Sequence, residues 1–106
     1  MGEEVKGLSD HLANLRLYKT TPYTGTTTNA NAEIGSVTLP AGKYVCWSVG
    51  YCKDGYGGYS TDLPSGYVDN QAEAFTLNTQ KTISLNAATG AEVIWNRYQV
   101  CFMRIA

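Results

Sequence analysis

The chain has 106 residues, 43% of them apolar, which is enough for one domain with a small core. Only 16% are charged and the formal net charge is −1, so the sequence carries no field that would draw it to DNA or to an anionic membrane. Its basic residues are scattered, no apolar run reaches the roughly 18 residues of a membrane span, and no signal peptide is expected at the first residues.

Val5, Leu8, Leu12 and Leu15 fall on one stripe of a helix, with Glu3 and Glu4 in its first turn, where carboxylates favour the helix dipole. Residues 1–15 therefore read as a helical stub. It either lies on its own domain or is a piece of a longer coiled coil. The lone histidine, His11, sits on this segment and reads as a solvated residue.

From Arg16 onward the texture is β. Tyr 8, Gly 11 and abundant threonine favour strands joined by turns. Residues 20–31, TTPYTGTTTNAN, read as a polar surface loop. Ala32 to Leu39 reads as a strand, and Pro40-Ala41-Gly42 as a tight turn. In the strand that follows, Val45, Trp47, Val49 and Tyr51 alternate with Tyr44, Cys46, Ser48 and Gly50. Trp47 is expected in the core, on one face with Val45 and Val49.

Residues 53–66, KDGYGGYSTDLPSG, hold four glycines and a proline and are not expected to sustain a ladder. Short strands follow at Tyr67–Gln71, Ala74–Leu77 and Lys81–Leu85, the last with Ile83 and Leu85 inward. Two more are expected at Ala91–Trp95 and Tyr98–Ile105, separated by a turn at Asn96-Arg97 that leaves Trp95 half exposed. About seven or eight short strands over residues 16–106 define an all-β sandwich or barrel.

The last strand is apolar on both faces, with Val100 and Phe102 on one and Cys101, Met103 and Ile105 on the other. Two-sided strands mark burial on both sides, which a two-layer monomer of this size hardly supplies. Val100 and Phe102, with Tyr44, are expected to meet a second copy. The cysteines, Cys46, Cys52 and Cys101, are odd in number, which points to free thiols and a reducing cytosol. The rival reading is a Cys46–Cys52 or Cys46–Cys101 bridge, of which the first, along one strand, would need to close roughly 20 Å.

No catalytic constellation is expected. One histidine on the stub cannot serve a triad near the loops, and the spacings of Asp54, Asp62 and Asp69 fit no calcium loop. No metal, nucleotide or other cofactor is expected. The informative residues are Tyr56, Tyr59 and Tyr67 in glycine-rich surroundings. Tyrosine offers a large contact area at low entropy cost, and glycine and serine let the backbone approach a ligand. With Asp54, Asp62 and Trp95 they form the candidate ligand site. The rings either stack a saccharide or fold back over the end of the sandwich.

The segments Ser36 to Tyr44, Lys81 to Val93 and Val100 to Ala106 ("VTLPAGKY", "TISLNAATGAEV", "VCFMRIA") resemble the trimeric C-terminal tip domains of bacteriophage tail fibres and receptor-binding proteins, which are built on a C1q/tumour-necrosis-factor-like jelly roll. The resemblance implies a jelly-roll-like sandwich and a homotrimer held by the Val5/Leu8/Leu12/Leu15 stripe and the terminal strand. It also implies a non-enzymatic role: binding a bacterial surface glycan or receptor, on a virion whose protein is made in the bacterial cytoplasm. The competing expectation is a monomeric carbohydrate-binding module or adhesin domain.

Overall fold

The computed structural model describes residues 16–53, 57–64, 66–68, 72–87 and 91–106. The expected stub at residues 1–15, with Val5, Leu8, Leu12 and Leu15, lies outside them. Among the described residues there are nine strands and no helix. The strands are β1 (Arg16–Lys19), β2 (Tyr23–Thr27), β3 (Glu33–Leu39), β4 (Gly42–Lys53), β5 (Gly58–Tyr59), β6 (Tyr67–Val68), β7 (Glu73–Leu77), β8 (Lys81–Ala87) and β9 (Val93–Arg104).

They form two antiparallel sheets in a sandwich-like arrangement. The five-stranded sheet runs β1-β9-β4-β7, with β2 also on β9, and the four-stranded sheet runs β3-β8-β5-β6. From β2 onward the chain changes sheet at every connection except β5 to β6. The Pro40-Ala41-Gly42 turn is thus a corner between sheets, pinned by the Tyr44 hydroxyl donating to the Pro40 carbonyl at 2.6 Å.

The polar stretch expected as a loop contains β2. Strands β1 and β2 lie one after the other along the long β9. Between them sits Pro22, which has no N–H to give a ladder, and buried Thr20 bridges the gap. Its hydroxyl accepts the Val100 N–H at 3.0 Å, and its own N–H donates to the Val100 carbonyl at 3.1 Å. Thr27 completes the strand by accepting the Trp95 indole N–H at 2.9 Å.

The turn expected at Asn96-Arg97 is a bulge inside one continuous strand. Arg97 takes a left-handed φ of 52°, and its N–H donates to Thr24 Oγ1 at 3.0 Å. The extra residue changes the parity of β9. Val93 and Trp95 point inward before it, and Tyr98, Val100 and Phe102 point inward after it. Opposite, Gly50 has φ 94°, and a Cβ there would meet the Arg97 carbonyl oxygen at 2.1 Å, so only glycine fits.

The inward row of β4 is Tyr44, Cys46 and Ser48. Tyr44 stacks on Phe75 with ring centroids 5.6 Å apart, and Phe75 meets Phe102 edge-on at 6.1 Å. These rings join Leu39, Ile83, Leu85, Val93 and Val100 in the core. Trp47 is therefore not a core residue. It shares the outer face of the five-stranded sheet with Val45 and Val49, and none of the three packs against the core cluster. Both rows of β4 are rich in apolar side chains, so alternation alone does not say which faces inward. The aromatic company of Tyr44 decides it.

Candidate functional site

The glycine-rich middle, expected to hold no ladder, makes a two-residue hairpin. Gly58 pairs with Val68 and Tyr59 with Tyr67, and β5 also pairs with β8 through Gly58–Ala87 and Tyr59–Asn86. Gly58, Val68 and Ala87 are buried, so alternation turns Tyr59, Tyr67 and Asn86 outward as one row. The two rings sit with centroids 5.2 Å apart, tilted by 60°, and Tyr67 is 44% exposed.

The hairpin is held from below and from its tip. From the five-stranded sheet, the buried Tyr98 hydroxyl donates to the Val68 carbonyl and accepts the Gly58 N–H, each at 2.7 Å. The Tyr98 ring in turn packs edge-on against Trp95 at 4.9 Å. At the tip, Ser60 N–H donates to the Gly66 carbonyl at 2.7 Å, and Leu63 is buried in the core. Gly66, at φ 82°, lies so close to Tyr59 that a Cβ would meet the ring at 2.7 Å. The tyrosine pair is thus backed by fixed backbone.

Asp62 belongs to the same tip. Its carboxylate pairs with Lys81 Nζ at 3.1 Å, and its N–H donates to Ser60 Oγ at 3.2 Å. An ion pair this exposed contributes at most about 1 kcal/mol. Asp54 and Tyr56 lie outside the described residues. Trp95 is not half exposed: it is 2% exposed and sits inside the sandwich, with its indole N–H satisfied by Thr27. It has no ring face to offer a ligand.

Beyond Tyr59 and Tyr67, the outer face of the four-stranded sheet is a row of small uncharged polar groups, with the exposed Glu33 beside its Asn86 end. Asn86, Ser84 and Thr82 alternate along β8, with Ser36 opposite Ser84 and Thr38 opposite Thr82. The Thr38 and Thr82 hydroxyls lie 2.8 Å apart, within hydrogen-bond distance. The alternation Thr82-Ile83-Ser84-Leu85-Asn86 is the sequence signal for this row, which the expected site does not include.

The expected interface residues Val100 and Phe102 are both 0% exposed and lie in the core of a single chain. They have no surface to give a partner. The two-sided strand is real, but its faces are the reverse of the expectation. The outer face carries Met103 opposite both Val45 and Leu17, and Cys101 opposite both Trp47 and Lys19. Leu17, Val49 and Tyr51 on this face are 47%, 43% and 53% exposed.

The three thiols are unpaired. Cys46 faces the core and Cys101 the opposite side of the same sheet, which rules out a bond between them. Burial, with the Glu73 carboxylate second, pushes the Cys46 thiol up to about 12. Burial also raises Cys101, against the pull of Lys19. Neither is an activated nucleophile. Among the described residues no cluster of three His, Cys, Asp or Glu is placed to hold a metal ion. No protein-family model, curated protein or solved structure matches the chain.

Proposed function

We propose that this chain is the tip module of a phage or prophage tail fibre. It self-associates as a homotrimer and attaches to a bacterial surface glycan, without enzymatic activity. The observation that carries this reading is the apolar outer face of the five-stranded sheet. Val45, Trp47, Val49, Cys101, Met103 and Leu17 form contiguous rows on its two central strands and β1. An antiparallel sheet normally turns a polar face to water, and contiguous apolar surface marks an interaction site.

A second copy is the occupant that fits. The chemistry of this face is that of its own core, and the face is bordered by Lys19 and Lys53, as an interface is bordered by a polar rim. The threefold number comes from the resemblance to fibre tips. The alternation of the chain between sheets supports the jelly-roll reading of the sandwich. In this assembly the contact moves from the expected Val100 and Phe102 to the neighbouring outward residues.

Light scattering at micromolar concentration tests the reading. It should return about three times the chain mass of 11.5 kDa. A single-chain mass would remove self-association and leave the competing reading, a monomeric carbohydrate-binding module, which the Tyr59/Tyr67 pair serves equally well.

A further inference from the structure

We infer that the outer face of the four-stranded sheet binds a neutral polyhydroxylated chain, laid along β8 from the Tyr59/Tyr67 pair past Asn86 and Ser84 to Thr82. This deepens the attachment reading above by giving the site and the chemical class of its ligand. The tip loop expected to bind is only one end of it.

Three observations converge. First, the tyrosine pair is held before any ligand arrives. Tyr98 fixes the hairpin backbone through two 2.7 Å hydrogen bonds, and the backbone of Gly66 backs the Tyr59 ring. A platform already in place avoids the ordering cost that weak ligands cannot overcome.

Second, the groups in line with the pair are hydroxyls and one carboxamide, from Asn86, Ser84, Ser36, Thr82 and Thr38. Each hydroxyl both donates and accepts, and the carboxamide does so with two atoms. That is the complement of a ligand carrying hydroxyls along its length. The outward positions from Asn86 to Thr82 run about 13 Å along the strand, so several units of a chain can lie on them.

Third, the row carries no cation: Glu33, exposed opposite Asn86, adds a carboxylate at one end, and Lys81 at the other end is paired with Asp62 at 3.1 Å. An acidic polymer would find no uncompensated cation there. A folded protein partner would want an apolar centre, and on this molecule that surface is on the other sheet.

The test uses the whole chain, labelled with nitrogen-15 and titrated separately with dextran, mannan, galactan and N-acetylglucosamine oligomers as neutral probes. Hyaluronan and polysialic acid serve as acidic ones. At least one neutral probe should shift the amide signals of Tyr59, Tyr67 and Asn86, with millimolar affinity. Tyr67→Ala should weaken it by about tenfold (1.4 kcal/mol). Thr21→Ala, at an exposed position in the link between β1 and β2 and in neither outer row, should not.

Silence with all the neutral probes, preference for the acidic ones, shifts confined to other residues, or indifference to Tyr67→Ala would each overturn the inference. Asn86→Ala is a second variant that leaves the core untouched and should weaken the same probe. Molar mass measured on the same samples separates the two readings. A trimer that binds none of the neutral probes loses this site and keeps the assembly. A monomer that binds one keeps the site and loses the assembly.

Discussion

On the outer side of the four-stranded sheet, the cross-strand partners are Ser36 with Ser84 and Thr38 with Thr82. On the outer side of the five-stranded sheet, the corresponding partners are Val45 with Met103 and Trp47 with Cys101. Both sheets give their inner faces to one core, and both have the period of two. They differ in what they turn away from it. The first obeys the usual rule for a sheet with one wet face. The second repeats core chemistry on a face where Leu17, Val49 and Tyr51 stay exposed. A sandwich with two layers has two outer faces, and here one carries a polar row and the other an apolar one.

The largest effect should come from charging the two faces in turn. Under the proposed assembly Trp47→Glu brings one carboxylate per chain into an apolar contact, with Cys101 directly opposite it and the cation of its row, Lys19, one strand further away. A micromolar assembly rests on about 8 kcal/mol, and burying unpaired carboxylates removes enough of it to return a single-chain mass in light scattering. Ser84→Glu, on the polar face, should leave the mass unchanged. If both variants keep the triple mass, the apolar face is not where copies meet.

Next is the core that both faces share. Phe102→Ala opens a cavity beneath Tyr44 and Phe75 and should lower the urea-unfolding free energy by about 3–5 kcal/mol. Thr76→Ala, on the exposed side of β7, should stay within about 0.5 kcal/mol. Equal losses at the two positions would mean that the inner and outer sides of this sheet are misassigned.

A loss of similar size, but felt at one hairpin, should follow from uncoupling the sheets at Tyr98. Tyr98→Phe keeps the ring against Trp95 but strips the Gly58 N–H and the Val68 carbonyl of a buried partner. Each orphaned group costs about 1–3 kcal/mol. Amide exchange at Gly58 should speed up while exchange across the β4–β9 ladder stays slow. Unchanged exchange at Gly58 would show that the hairpin is held by something other than this hydroxyl.

The contrast between faces was only partly legible in the sequence. Strand β8 shows its two faces directly, because Ile83 and Leu85 are apolar and Thr82, Ser84 and Asn86 are polar. Strands β4 and β9 are largely apolar in both rows. Periodicity there establishes a strand and a two-sided one, but not which side is inward. That choice depends on Phe75 and Tyr18, side chains from strands distant in sequence that stack or lie edge-on against Tyr44. The same holds for Trp95. Read alone, Asn96-Arg97 looks like a turn that leaves Trp95 near an end. A bulge there keeps the strand continuous and Trp95 inside. β2 escaped notice because a strand of tyrosine, threonine and glycine has the composition of a loop until a partner strand gives Tyr23 and Thr27 something to cover. Tyr59 and Tyr67, like Tyr56, stand out by composition alone, since tyrosines in a glycine-rich chain are conspicuous wherever they lie.

The finest comparison is between the two thiols on opposite sides of the five-stranded sheet. In the native protein half-buried Cys52 should alkylate first, and Cys46 and Cys101 slowly, because both are buried and both ionise at raised pH. All three should react once the chain is denatured. The Trp47→Glu variant should then separate the slow pair. Opening the outer face speeds Cys101 and leaves Cys46, sealed beneath the same sheet, unchanged. The alkaline limb of stability carries the matching sign. Cys46 ionises at about 12 in the fold against an ordinary value of 9.0. Between those values the unfolded chain has released its proton and the folded one has not. The contribution of Cys46 is therefore complete below about pH 9 and is lost as pH rises toward 12. Cys46→Ala should flatten the fall of the melting temperature across that window, at the expense of a lower plateau from the small cavity. A fall just as steep in the variant would assign the alkaline loss to groups other than this thiol.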